Sequence, residues 1–112
     1  MQSKGKETMM LKTTLLSQRF ITTEYNNELN MYYYIIKKEQ PDGSAIYGVE
    51  IKSEINNELD CAAHCLNTAD YQHACRFISW LCEHTVCPIS LGYIIEDHYD
   101  DFCAKHKKIL SF

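Results

Sequence analysis

The sequence predicts a single α+β domain, in which an antiparallel β-meander of three or four strands precedes two C-terminal α-helices packed on one face of the sheet. The first half is rich in Tyr, Ile, Thr and Asn, residue types that strands and turns favour. Every cysteine and histidine follows residue 60, in a half where apolar residues recur at helical spacing. A chain of 112 residues is long enough for one hydrophobic core.

Three turn signals divide the first half at similar intervals: Asn26-Asn27, Pro41-Asp42-Gly43-Ser44 and Asn56-Asn57. Asparagine tolerates positive φ, and Pro-Asp-Gly combines a fixed φ with a left-handed position, so each signal fits a hairpin connection. Three hairpins imply four strands, within about residues 11–65.

The second predicted strand is apolar on both faces. Tyr32, Tyr34 and Ile36 fall on one face, while Tyr33 and Ile35 fall on the other. Such a strand is usually central in its sheet. Two helices can cover only one face, so the other face is expected to remain open.

The other strands are predicted from the alternation of apolar and polar residues. The first spans 11–22, with apolar residues at even steps: Leu11, Leu15 and Ile21. The third spans 44–53, and its polar side, with Gly48, Glu50 and Lys52, is expected to face water. The fourth, at about 59–65, reads equally well as the start of a helix.

The first helix is predicted at about 69–84, with Asn67 or Thr68 as N-cap and Asp70 in the first turn. Its apolar stripe is Tyr71, Ala74, Ile78 and Leu81, flanked by Phe77 and Trp80. The second helix is predicted at about 88–105, with Pro88 in its first turn. Its stripe is Leu91, Ile94, Ile95, His98 and Phe102, followed by Lys105, Lys107 and Lys108.

Composition limits the function classes. Three polar residues, Lys12, Thr13 and Thr14, interrupt any secretory apolar segment, so the six cysteines are expected as thiols in a reducing cytoplasm. The net charge of −4 disfavours nucleic-acid binding, and no apolar run is long enough for a membrane span. No phosphate loop or Ser/His/Asp signature supports catalysis or a cofactor, and we expect neither.

Two motifs carry a family resemblance. The segments YGVEI, from Tyr47 to Ile51, and TVCPISLGYIIED, from Thr85 to Asp97, resemble a family of small bacterial proteins, mainly from Firmicutes, that is known as a domain of unknown function. The resemblance covers about residues 30–103. It implies Ser or Thr before the proline, where this chain has Cys87, and it implies no activity, cofactor or functional residue.

The corner between the helices holds Cys82, His84 and Cys87, which are weak candidates for zinc ligands. Cys87 is also a candidate reactive thiol, because it precedes a helix N-terminus. The simpler interpretation, which we favour, is that Cys87 replaces a capping hydroxyl. Two other pairs, Cys61-x3-Cys65 and Cys103-x2-His106, lie far apart in the predicted elements.

The candidate interaction surface combines three tyrosines with four acids: Tyr32, Tyr33, Tyr34, Glu96, Asp97, Asp100 and Asp101. The acids form two i,i+4 pairs of like charge, for which a solvated helix face is the simpler explanation. The leading hypothesis is a non-enzymatic cytoplasmic protein that acts through protein–protein contacts, with a homodimer as the natural way to bury the open sheet face. The alternative is a thiol- or zinc-dependent sensor at the inter-helix corner.

Overall fold

A four-stranded antiparallel sheet forms the first two-thirds of the fold. The computed structural model describes residues 10–100 and 102–103. The strands are β1 (Met10–Thr22), β2 (Glu28–Glu39), β3 (Ala45–Ile55) and β4 (Glu58–Thr68), in the order β1-β2-β3-β4. The predicted meander is confirmed, and the ambiguous fourth segment is a strand that is longer than expected.

The three predicted turns join these strands. Asn26 has φ 64° and Gly43 has φ 91°, which are left-handed conformations that Asn and Gly adopt at low cost. Asn56 and Asn57, with φ 53° and 66°, form a two-residue connection between β3 and β4. Positive φ at both positions matches the twist of a tight hairpin.

The helices cover one face of the sheet, called here the inner face. Its fully or almost fully buried side chains are Met31, Tyr33, Ile35, Val49 and Ile51. Tyr32, Tyr34 and Ile36 lie on the opposite, outer face and are only partly buried. β2 pairs with β1 on one side and with β3 on the other, so the prediction of a central strand is correct.

A β-bulge changes the register of β1. Leu15 pairs with Tyr34 and Ser17 pairs with Tyr33, which leaves Leu16 as the extra residue. Leu11 and Leu15 therefore face outward, whereas Ile21 faces inward. The even spacing of these three residues left the register of the strand open, and it does not place them on one face because alternation inverts across a bulge.

The first helix, α1, spans Tyr71–Glu83 and its N-cap is Asp70, whose Oδ1 accepts a hydrogen bond of 3.1 Å from the backbone N–H of His73. The predicted caps are wrong: Asn67 has φ 53° in an irregular part of β4, and Thr68 ends that strand. The residues that α1 buries are Ala74, Phe77, Ile78 and Leu81. Tyr71, predicted in the apolar stripe, is 45% exposed, whereas Phe77, predicted beside the stripe, is fully buried.

The second helical segment, α2, changes its winding along its length. It begins with a 3₁₀ turn at Pro88–Ser90, continues as an α-helical turn at Leu91–Ile94 and widens into a π-helical turn at Ile95–Tyr99. The wider turn brings Tyr99 toward the core and leaves His98 exposed, so the predicted core position of His98 is wrong. Helical backbone continues at Phe102 and Cys103. Asp101, His106 and the predicted lysine tail lie outside the described residues.

Gly48 marks a close approach of two strands. A Cβ atom built on Gly48 would lie 2.6 Å from the carbonyl oxygen of His64 on β4. Gly92 of α2 similarly leaves room for the imidazole of His64, whose Nε2 would lie 2.9 Å from an added Cβ. These two glycines let β3, β4 and α2 pack closely against each other.

Candidate interaction face and thiol clusters

The outer face of the sheet carries a broad apolar surface. Leu11 is 69% exposed, Phe20 70% and Leu59 66%, and all three point outward by their register with β2 and β3. The other large apolar side chains of this face are Leu15, Tyr32, Tyr34, Ile36 and Ile46. Among the residues that the structure describes, no helix packs over this side.

A shallow apolar depression lies in this face. Its volume is about 210 Å³, and its lining includes Leu11, Ile36, Ile46, Gly48 and Ala63. The depression exists partly because Gly48 presents no side chain there. It has space for several water molecules, which an apolar side chain from a partner could displace.

Charged side chains of both signs lie along the outer face. β2 contributes Lys38, and β3 contributes Glu50, Lys52 and Glu54. The ammonium group of Lys52 lies 5.2 Å from the ring centroid of Tyr34. Apart from Glu28 at the margin, the charges on these two strands balance, whereas the whole chain has a net charge of −4.

Tyr33 does not belong to the surface on which the sequence placed it. Its side chain is fully buried on the inner face, and its hydroxyl donates a hydrogen bond of 3.0 Å to the carbonyl oxygen of Val86. Burial, and after it the nearby thiols of Cys82 and Cys87, raise the pKa of Tyr33. Only Tyr32 and Tyr34 are therefore available on the outer face.

The acidic residues lie on a different side of the protein from these tyrosines. Glu96, Asp97 and Asp100 are exposed on α2, which packs on the inner side of the sheet. A hydrogen bond to Asp97 raises the pKa of Tyr93 one turn earlier, so this carboxylate has a local partner. Asp101 is outside the described residues. The predicted acids and tyrosines do not form one surface.

Local contacts within the chain hold the inter-helix corner. His84 is the C-cap of α1, its Nδ1 lies 2.9 Å from the carbonyl oxygen of Trp80, and its ring centroid lies 4.3 Å from that of Trp80. Cys87 occupies the N-cap position before Pro88 but makes no capping hydrogen bond, and its Sγ lies 3.9 Å from the carbonyl oxygen of Thr85. Cys87 therefore takes the capping position without the hydrogen bond that a capping hydroxyl would make.

Metal binding has no assembled ligand set in the part of the chain that the structure describes. Within residues 10–100 and 102–103, no three side chains of His, Cys, Asp or Glu converge as a metal site would require. That range includes Cys82, His84 and Cys87. All six cysteines are free thiols.

A second thiol cluster was missed by the sequence analysis. His73 of α1 places Nε2 3.3 Å from Sγ of Cys103, and the hydroxyl of Tyr99 hydrogen-bonds to the same thiol. Burial first, and then that hydrogen bond, raise the pKa of Tyr99. The only local signal was the i,i+4 spacing of Tyr99 and Cys103; His73 is 30 residues away in sequence.

This cluster opens onto a cleft of about 660 Å³, whose lining also includes the apolar side chains of Leu66 and Ile95. The cleft lies between the end of β4, the first turns of α1 and the face of α2. The residues with polar or sulfur groups that line it are Cys65, Asn67, Thr68, Asp70, His73, Arg76, Tyr99, Asp100 and Cys103.

Comparison with known proteins identifies one family. A model described as a family of unknown function, DUF6514, matches residues 12–101. No curated protein and no solved structure matches the chain. Among the described residues, no helix is both long and apolar enough to cross a membrane.

Proposed function

We propose a role for this chain, which belongs to the family of unknown function DUF6514, from the geometry of its outer face. The protein is a non-enzymatic cytoplasmic protein that acts through protein–protein contacts, and its partner at the outer face is a second copy of itself. The observation behind this proposal is the uncovered apolar side of the sheet.

The apolar character of that side is unusual for a free surface. Isolated apolar residues are normal on a protein surface, but contiguous patches larger than a few hundred Å² mark interaction sites. Leu15 on β1 pairs with Tyr34 on β2, Phe20 lies diagonal to Tyr32, and Leu11 lies diagonal to Ile36, so apolar neighbours cross from β1 to β2 along the sheet. Burial of this patch would contribute the main driving force for association.

The size of the face fits a stable dimer. Four strands of about eleven residues cover roughly 700 Å², given the usual rise per residue and spacing between strands. A standard protein–protein interface buries roughly 800 Å² on each partner. The outer face alone therefore supplies most of the area that a specific dimer needs.

The charge pattern favours a second copy over an acidic or basic partner. A two-fold interface brings the same patch of both subunits together, so the patch must be self-complementary. Glu50 and Lys52 lie two residues apart near the middle of β3, and Lys38 and Glu54 add one charge of each sign toward the ends of the strands. A partner of strong single charge would be matched by a patch of one sign, which this face lacks.

The proposed cytoplasmic setting rests on the cysteines. Six free thiols, of which Cys61 and Cys65 are exposed, suit a reducing compartment. The motif resemblance around Tyr47–Ile51 and Thr85–Asp97 supports a bacterial origin, in Firmicutes.

The proposal is tested by the molar mass in solution, measured by sedimentation velocity over the micromolar range. The wild-type chain is compared with Leu15→Lys, which places a charge on the outer face, and with Ile89→Lys. Ile89 is a matched control because it is 87% exposed on α2, away from the outer face.

We expect a dimer for the wild type and for Ile89→Lys, and a monomer for Leu15→Lys. A wild type that remains monomeric throughout the range contradicts the proposal. A dimer that Leu15→Lys leaves intact contradicts the assignment of the outer face.

A further inference from the structure

The cleft beside α2 brings a thiol, an imidazole and a phenol together. Sγ of Cys103 lies 3.3 Å from Nε2 of His73, and it also contacts the hydroxyl of Tyr99. The His73 ring packs against Phe102, with ring centroids 5.3 Å apart, and against Tyr99 at 5.8 Å. These contacts hold the imidazole in place beside the sulfur.

This arrangement resembles an activated nucleophile in chemical terms. A thiol with an imidazole nitrogen in hydrogen-bond range can pass its proton to that nitrogen as the sulfur attacks. A hydroxyl that donates to the same sulfur stabilises negative charge on it during attack. Cys75, another half-buried thiol, offers a contrast because its described side-chain partner is Tyr71 rather than a histidine.

The cleft also contains groups of both charges around the thiol. Arg76 lines it with a guanidinium, which suits a carboxylate, and Asp70 and Asp100 line it with carboxylates, which suit an ammonium group. A volume of about 660 Å³ is in the range of small-molecule sites. The cleft therefore offers charged partners for both groups of a small zwitterion, beside the apolar surface of Leu66 and Ile95.

We propose that Cys103 is a site of reversible thiol modification by the disulfide of a small thiol that bears ammonium and carboxylate groups. The Cys103 sulfur attacks one sulfur of the disulfide, and Nε2 of His73 takes the thiol proton. A bond forms between Cys103 and that sulfur while the original S–S bond breaks, and the departing thiolate is protonated to a free thiol. The protein thiol is oxidised to a mixed disulfide, and the other half of the reagent is reduced.

The test compares two disulfides on the fully reduced protein. Cystine carries the ammonium and carboxylate groups, whereas 2-hydroxyethyl disulfide is neutral. Peptide mass spectrometry follows the modification rate at Cys103 and at Cys75, the reference thiol of similar exposure on α1. We expect cystine to modify Cys103 faster than Cys75 by on the order of tenfold or more.

Three variants test the contribution of individual side chains to the reaction at Cys103. His73→Gln should reduce the rate at Cys103 by on the order of tenfold without changing that at Cys75. Tyr99→Phe keeps the aromatic packing and should also slow Cys103. Arg76→Gln should slow the reaction of Cys103 with cystine but not its reaction with the neutral disulfide.

Equal rates at Cys103 and Cys75 would overturn the proposal, as would a His73→Gln variant that reacts like the wild type. If His73→Gln unfolds the protein, the modification rate at Cys75 will rise as well. The rate at Cys103 in Tyr99→Phe then decides whether the proposal holds. If Cys103 reacts equally fast with the two disulfides, the proposal that the cleft selects a zwitterionic reagent is overturned.

Discussion

The hydroxyl of Tyr33 on the central strand donates a hydrogen bond of 3.0 Å to the carbonyl oxygen of Val86, between the two helices. This bond fixes the inter-helix corner to the middle of the sheet. Arg19 of β1 adds a second link from the sheet, because its Nη1 donates to the carbonyl oxygen of Cys82 at 3.2 Å. The position of the corner is therefore set by β1 and β2, although both strands precede it by at least 50 residues.

Removal of the Tyr33 hydroxyl should destabilise the fold. In Tyr33→Phe the buried Val86 carbonyl loses its donor, which should lower the free energy of unfolding by about 1–3 kcal/mol. Tyr34→Phe on the outer face is the matched control and should change it by less than about 0.5 kcal/mol. Urea unfolding of both variants measures the difference, and equal stabilities would show that the bond contributes nothing.

Alkaline pH should destabilise the protein through two tyrosines. Burial raises the pKa of both Tyr33 and Tyr99 in the fold, so each keeps its proton when the unfolded chain has lost it. Their stabilising contribution is complete below the ordinary tyrosine pKa of about 10 and is lost as the pH rises above it. Urea unfolding at a series of pH values should show a decline above pH ~10 that is shallower in Tyr33→Phe. An identical decline in that variant would contradict this assignment.

The strands could be predicted because their signals are local. Asn56-Asn57 and the segment from Pro41 to Ser44 fix hairpins by their own backbone preferences, and alternation in β2 assigned Tyr33 to one face and Tyr34 to the other. The sequence could not reveal which face the helices would cover. Tyr33 was therefore placed on the interaction surface with its neighbours.

The errors arose where a small backbone change shifts the pattern. Asn67, Thr68 and Asp70 are all capping residue types, and only the backbone angles select Asp70. The π-helical turn replaces His98 with Tyr99 at the core. Cys103 and His73 meet because α1 and α2 pack together, and spacing within one element does not report such a contact.

Gly48 should not tolerate a side chain. In Gly48→Ala the new Cβ would approach the His64 carbonyl oxygen to 2.6 Å, so the β4 backbone must shift. We expect a loss of about 1–3 kcal/mol in the free energy of unfolding. Gly43→Asn is the control: Gly43 has φ 91° with nothing within 4 Å of an added Cβ, and Asn tolerates such angles, so the change should stay below about 1 kcal/mol. A Gly48→Ala variant as stable as this control would contradict the close approach.

The alkylation rate of Cys61 tests the central claim, that a second copy buries the outer face. Cys61 is exposed in the single chain and points outward from β4, opposite Lys52. We expect its rate to fall as the protein concentration rises through the micromolar range, and to recover in Leu15→Lys. The rate at Cys75 on α1 should stay constant throughout. A Cys61 rate that is independent of concentration and equal in the two proteins would contradict the account.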